Sequence, residues 1–193
     1  PFVTPKALLG RLRPYQEKGV TWLRFLLSRG LGSCLADDMG LGKTIQLLAT
    51  LLTAREAGES IRPSLLVCPT SVVENWIQEA ARFAPSLTVA VHHGPERAQG
   101  EDFQELLRKT DLLVTTYSLA HRDRATLTEV SWEYLALDEA QNIKNPGTAQ
   151  SRAVRALRST RRAALTGTPL ENRLSELKAI LDFLNPGLLG SDE

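Results

Sequence analysis

The chain has 193 residues, 42% of them hydrophobic and 23% charged, with 23 basic against 22 acidic side chains. That is the composition of an ordinary globular protein long enough to bury a core, and a net charge of +1 neither requires nor excludes a nucleic-acid partner. The apolar runs are strand-sized and too short to cross a bilayer, no secretory leader is visible, and two cysteines are too few for a disulfide framework or a zinc centre. Cys34 and Cys68 each sit inside an apolar run and read as core thiols of a reducing compartment. The chain opens on Pro1 and its one methionine is Met39, so a longer protein is expected around it.

In chain order, Pro14 can open a first helix and Gly30 can close it. A short strand at Ser33–Ala36 precedes a helix from Lys43. That helix is apolar at Ile45, Leu47, Leu48, Ala49, Leu51 and Leu52, nearly all round, and is expected against a sheet. A strand at Leu65–Cys68 leads to a helix expected to start at a capping box of Ser71 and Glu74, with Val73, Trp76, Ile77 and Ala80 on one face. Val89–Val91 is a weaker strand and Gly94–Glu101 a polar surface loop. Leu112–Thr115, Tyr134–Leu137 and Ala163–Thr166 are further strands. The last helix carries Leu174, Leu177, Leu181 and Leu184 and stops at Asn185-Pro186-Gly187.

The strands are continuously apolar rather than alternating, as strands covered on both faces are. Their alternation with helices implies right-handed βαβ units, hence an α/β fold with a mostly parallel sheet and helices on both faces. Each strong strand runs straight into a polar cluster: Asp37-Asp38, Pro69-Thr70-Ser71, Thr116-Tyr117-Ser118, Asp138-Glu139 and Gly167-Thr168-Pro169. The carboxyl ends of the strands line the ligand crevice of an open parallel sheet, so five strands deliver polar residues to one edge.

Gly42-Lys43-Thr44 follows a strand and opens a helix, the arrangement in which glycine admits phosphate to the backbone and the helix dipole favours its charge. Lys43 would reach the β- and γ-phosphates and the Thr44 hydroxyl would hold magnesium. The strict G-x-x-x-x-G-K-[ST] pattern is not met, because Asp37 stands where its first glycine would, so an incidental strand-to-helix turn remains open at this point. Asp138-Glu139 adds two carboxylates at the end of a buried strand, where acids without a task are expensive. Asp138 suits magnesium and Glu139 suits the polarisation of an attacking water. Together the two motifs point to a nucleoside triphosphate site.

With these residues placed, the chain resembles the Swi/Snf-type DNA-dependent ATPases of helicase superfamily two, in the form of their N-terminal RecA-like P-loop lobe. Leu12-Arg13-Pro14-Tyr15-Gln16 is similar to the family's opening motif, whose glutamine reads the adenine edge. Asp37 to Thr44 matches its phosphate loop, in which an acid replaces the first glycine. Leu66 to Ser71 with Asn75-Trp76 resembles the first DNA-contacting motif, and Val114-Thr115-Thr116-Tyr117-Ser118 the second. Asp138-Glu139-Ala140-Gln141 with Asn142-Ile143-Lys144-Asn145 is similar to motif two, with Gln141 where histidine is commonest. Leu165 to Asn172 resembles motif three, and Asn185 to Gly190 the end of the lobe. The form of motif two is closest to prokaryotic members.

The resemblance implies ATP and Mg2+ as cofactors and a single lobe over residues 1–193, with 1–11 a lead-in and 185–193 the start of a connection. Nucleotide would be bound by Gln16, Asp38, Gly40, Leu41, Gly42, Lys43, Thr44 and Ile45. Lys43, Asp138 and Glu139 would be catalytic, and Thr44 and Asp138 would hold the metal. Pro69, Thr70, Ser71, Asn75, Thr116 and Ser118 would contact the backbone of double-stranded DNA. Gln141, Thr166, Gly167 and Thr168 would couple the two activities. A glutamine at 141 can donate and accept hydrogen bonds but does not titrate near neutrality.

A second RecA-like lobe would supply an arginine finger, whose loss can cost on the order of 10³–10⁵ in rate. The chain alone is therefore expected to be a monomer that binds ATP weakly and hydrolyses it negligibly. The compartment would be the cytoplasm, at the nucleoid, in a prokaryote and the nucleus in a eukaryote. Other readings are an RNA or DNA helicase lobe, a P-loop ATPase with no nucleic-acid role, and a binding module without catalysis.

Three features read more blandly. Between Glu139 and Glu171 there is no acid, and Arg152, Arg155 and Arg158 recur every third residue, either a phosphate-contacting stripe on one helix or a solvated face. Trp22, Trp76 and Trp132 sit in apolar periodic context and are expected in the core rather than stacked on bases. His92 and His93 read as strand-end polar residues.

Overall fold

The computed structural model describes residues 3–59, 63–167 and 174–190. Six strands form one sheet: β1 (Ser33–Leu35), β2 (Ser64–Cys68), β3 (Val89–His92), β4 (Leu112–Thr116), β5 (Ser131–Leu137) and β6 (Arg158–Leu165). The order across the sheet is β1-β6-β5-β2-β4-β3, and every pairing is parallel. Eight α-helices are seen among the described residues: α1 (Pro14–Ser28), α2 (Lys43–Glu56), α3 (Val73–Phe83), α4 (Gly100–Arg108), α5 (Tyr117–Arg122), α6 (Arg124–Glu129), α7 (Ala149–Arg155) and α8 (Leu174–Leu184).

The continuously apolar strands are covered on both faces, as expected. Leu66 and Cys68 of β2 face a layer containing Val20, Leu23, Leu48 and Leu52 of α1 and α2 and Trp76 of α3. Leu65 and Val67 face the opposite layer, with Phe103, Leu127, Trp132, Val154 and Phe183. Cys34 and Cys68 are free thiols, and burial raises them to about 11 and about 12. No helix among the described residues is long and apolar enough to cross a membrane.

Several local expectations need correction. No capping box forms at Ser71 and Glu74. A 3-10 turn over Thr70–Val72, closed by the Val72 amide on the Pro69 carbonyl at 3.1 Å, leads directly into α3, and Glu74 instead accepts from Gln78 at 3.1 Å. The buried face of α8 is Ala179, Ile180, Phe183 and Leu184, which leaves Leu174 exposed. Trp22 is 51% exposed, because the buried positions of α1 are Gln16, Val20, Leu23 and Leu27 and residue 22 falls off that face. Trp76 and Trp132 are in the core as expected.

The arginine stripe does not exist. Arg152 and Arg155 lie on α7, but Arg158 is already in β6, where the period changes from helix to strand. Arg155 donates to Ser151 and to the Ala179 carbonyl, and Arg161 pairs with Glu133 on the adjacent strand. Arg162 donates to the carbonyls of Phe183 at 2.8 Å and Leu157 at 3.0 Å. These cations hold β6, α7 and α8 together.

Candidate functional site

The carboxyl edge of the sheet divides into two halves. β1, β6 and β5 are neighbours and end in Asp37-Asp38, Thr166-Gly167 and Asp138-Glu139, whereas β2, β4 and β3 end in Pro69-Thr70-Ser71, Thr116 and His92-His93. Residues scattered over 130 positions of sequence thus meet along one crevice.

The first half is built on the loop between β1 and α2. Gly42 caps α2 in the left-handed region, at φ 75° and ψ 49°, and a Cβ there would lie 2.5 Å from Gln16 Nε2, so glycine is required twice over. Lys43 Nζ donates to the loop's own carbonyls at Asp37 (2.7 Å) and Asp38 (3.1 Å). Gln16 joins α1 to the loop: its Oε1 accepts the Arg13 amide at 2.8 Å and its Nε2 donates to the Leu41 carbonyl at 3.1 Å. Asp37 accepts from Gln46 Nε2 at 2.9 Å, and the same nitrogen lies 3.3 Å from the Gly42 carbonyl. The acid in place of the usual glycine therefore has a structural partner, a fully buried glutamine that spans both ends of the loop. Asp38, Met39 and Gly40 are exposed, Leu41 and Thr44 are half-buried, and the Ile45 side chain is in the core. Ile45 is thus left with its backbone amide, not its side chain, for a ligand.

The acidic pair lies across this loop. Asp138 Oδ2 accepts from Trp76 Nε1 at 2.7 Å and Oδ1 accepts the Glu139 amide at 2.9 Å. Burial pushes the Asp138 carboxyl above the usual carboxylate range, while the Trp76 and Glu139 donors and the nearby Lys43 charge pull it back. No described cation lies within salt-bridge distance of it, so a buried carboxylate is left without an ion-pair partner. Glu139 is the only non-glycine with positive φ among the described residues, at φ 48° and ψ 56°. Such a conformation costs about 1–3 kcal/mol and persists only when neighbours impose it. Here Asn142 Nδ2 and its amide bind the Glu139 carbonyl at 2.7 and 3.0 Å, and the Tyr117 hydroxyl donates to the Asp138 carbonyl at 2.8 Å and approaches that of Glu139 at 3.4 Å.

A chain of side chains leads from there to β6. Gln141 Nε2 donates to Glu139 Oε2 at 2.7 Å, and Thr166 Oγ1 donates to Gln141 Oε1 at 2.8 Å. Gly167 lies against the loop between β1 and α2, with a Cβ there only 3.2 Å from Met39 Cγ. Thr168 falls outside the described residues.

In the second half, Thr70, Ser71, Asn75 and Ser118 are exposed and Pro69 is half-buried. Thr116 departs from expectation. It is buried, and its hydroxyl accepts the Leu119 amide at 3.4 Å as the cap of α5, with Ser118 Oγ 3.1 Å away. His92 closes β3, as a strand-end polar residue, and is buried there, with Nε2 2.8 Å from Asp123, which Arg97 grips through two nitrogens at 2.6 and 2.8 Å. No group of three potential metal ligands of the His, Cys, Asp and Glu type occurs among the described residues.

Three residues that matter to this geometry have no role expected from sequence: Gln46, in a helix that reads as apolar nearly all round, Trp76, which reads as core, and Tyr117, which stands between two expected DNA contacts of one motif. Asn75-Trp76 in the family-like motif is the one hint for Trp76.

The structure of the Sulfolobus solfataricus SWI2/SNF2 ATPase core in complex with dsDNA superimposes with a TM-score of 0.88 at 48% identity, over 99% of this chain and 39% of that one. The same archaeal core domain in a second structure gives 0.86 at 48% identity, over 98% and 38%. YwqA of Bacillus subtilis, which carries an ATP-dependent helicase/translocase name, is 53% identical over 94% of this chain and 20% of its own length. The chromatin-remodelling ATPase ISW2 of Saccharomyces cerevisiae is 37% identical over 95% and 17%. The chain thus spans about a fifth of these curated relatives. Residues 15–193 match the SNF2-related domain, and the chain belongs to that family.

Proposed function

We propose that this chain is the first ATPase lobe of a motor that moves along double-stranded DNA. The reading is carried by one observation: three neighbouring strands bring Lys43, the Asp138-Glu139 pair and Thr166 to one edge, with Glu139, Gln141 and Thr166 joined by hydrogen bonds. Lys43 would exchange its two loop carbonyls for the β- and γ-phosphates of ATP, against the amides that open α2. Gln16, already fixed to Leu41, would place the adenine edge relative to the loop. Gly40, Leu41, Gly42 and the Ile45 amide would line the phosphates, with Asp38 at the exposed turn.

A magnesium ion suits the Thr44 hydroxyl and Asp138. The carboxylate is buried, has no ion-pair partner among the described residues, and accepts one hydrogen bond on each oxygen from them, so a lone pair remains on each. The ion, when bound, would neutralise charge on the phosphates. Glu139 would orient and polarise the attacking water, and its hold on Gln141 would let Thr166 sense its position. Thr70, Ser71, Asn75 and Ser118 offer hydroxyls and amides that suit DNA phosphates.

A second RecA-like lobe would complete the cleft and supply an arginine. Calorimetric titration of Mg-ATP into this chain tests the site. Weak binding that Lys43→Ala abolishes is the expected outcome, with hydrolysis by the chain alone negligible; equal binding by the variant would refute the assignment.

A further inference from the structure

The half of the sheet edge assigned to DNA and the half assigned to nucleotide are joined at Asp138 by two buried side chains, Trp76 and Tyr117, to which the family-like motifs containing them give no role. Trp76 stands on α3, which follows the Thr70–Val72 turn without an intervening loop, and its indole N–H reaches Asp138 Oδ2 at 2.7 Å. Tyr117 sits between Thr116 and Ser118 and opens α5 directly from β4, with its hydroxyl on the Asp138 carbonyl at 2.8 Å. Both side chains are in the core, and a phenylalanine would fill most of either space. The polar atoms are therefore not explained by packing. Each finds its acceptor on the same two residues, one through the carboxylate and one through the backbone.

The two grips act differently. The Trp76 and Glu139 donors occupy opposite oxygens of Asp138 and so fix the plane of its carboxylate. Tyr117 holds the peptide between Asp138 and Glu139 and helps to impose the left-handed backbone of Glu139. Because each donor is carried on an element that starts at a loop of the DNA half, neither loop can move far without moving its donor.

We propose that Trp76 and Tyr117 are positioning residues that tie the Thr70–Ser71 and Thr116–Ser118 loops to Asp138 and Glu139, so that contact at the loops is felt as a change in metal and water placement. The proposal rests on the ATP-site assignment above.

The test uses the full-length, two-lobed protein. Trp76→Phe and Tyr117→Phe each delete one donor, and ATP hydrolysis is followed against free Mg2+ with and without saturating duplex DNA. Thermal melting is recorded for each variant. Trp76→Phe should raise the half-saturating Mg2+ about ten-fold and reduce its response to duplex. Tyr117→Phe should lower duplex-stimulated kcat about ten-fold and leave half-saturating Mg2+ nearly unchanged, a split that a general loss of folding does not produce. Tyr117→Phe removes a single oxygen atom, so it decides the matter where Trp76→Phe melts early. Variants that melt with the parent and keep its Mg2+ dependence and duplex stimulation within about two-fold overturn the proposal. A parent protein whose hydrolysis survives Lys43→Ala overturns the ATP assignment instead.

Discussion

Replacing Arg162 by methionine should destabilise the lobe and leave DNA binding alone. The arginine donates to the Phe183 carbonyl at 2.8 Å and the Leu157 carbonyl at 3.0 Å, and its guanidinium stacks over the Phe183 ring at 5.0 Å. Phe183 lies in the last turn of α8, where carbonyls lack helical partners and a cation is favoured by the dipole. Hydrogen bonds to a charged group contribute about 1.5–3 kcal/mol each. Burial opposes them, since it lowers the Arg162 pKa, and methionine keeps the stem's packing on the ring. The net loss is then about 2–3 kcal/mol, which for a domain of this size is a fall of about 4–12 °C in Tm. Thermal and urea denaturation measure it, with the exposed Arg158→Ala as a control expected to change stability by less than about 0.5 kcal/mol. An Arg162→Met protein that melts like the parent, yet loses about one unit from the salt slope of duplex binding, would refute the reasoning and make this arginine a phosphate ligand instead.

Three further outcomes follow from the site's surroundings. Gly42→Ala forces a left-handed alanine and a clash with Gln16 Nε2, so Mg-ATP affinity measured by titration should fall at least about ten-fold. The Arg97 guanidinium, helped by His92, holds the Asp123 carboxyl below its usual range, so that pair's stabilisation is present above about pH 4 and is lost as pH falls through the depressed pKa. Asp123→Asn should therefore lower stability at neutral pH and flatten the acid limb of the stability profile; parallel profiles would argue against the linkage. Thiol labelling of the native protein at pH 8 should be slow at both cysteines, because burial raises Cys34 to about 11 and Cys68 to about 12, and rapid once the protein is unfolded.

What could be read from sequence was what is local in sequence. The loop that ends in Gly42-Lys43-Thr44, the acids after β5, the limits of α1 and the start of α2 are contiguous patterns, and a mostly parallel sheet, here parallel at every pairing, follows from apolar strands alternating with helices. Contacts made across the fold were not legible. Trp76 and Asp138 are 62 positions apart, and a tryptophan on an apolar helix face signals packing, not the hydrogen bond its indole makes. Gln46 hides in a helix whose other buried residues, Thr50 apart, are apolar, because its partners, Asp37 and Gly42, lie on a loop that only folding wraps around it. The arginine stripe failed for a different reason: a spacing of three has meaning only within one helix, and the chain passes from α7 to β6 between Arg155 and Arg158. α4 gives little helical signal in sequence because it buries only Phe103 and Leu107, and α5 and α6 are six residues each, too short to show a period.

The central claim is that one sheet edge couples ATP hydrolysis to duplex contact. The most direct measurement is steady-state ATP hydrolysis by the full-length protein with and without double-stranded DNA, for the parent and for Glu139→Gln. The account predicts hydrolysis stimulated by duplex in the parent and abolished in the variant, with Mg-ATP binding retained. Hydrolysis indifferent to duplex, or persisting in Glu139→Gln, would contradict it.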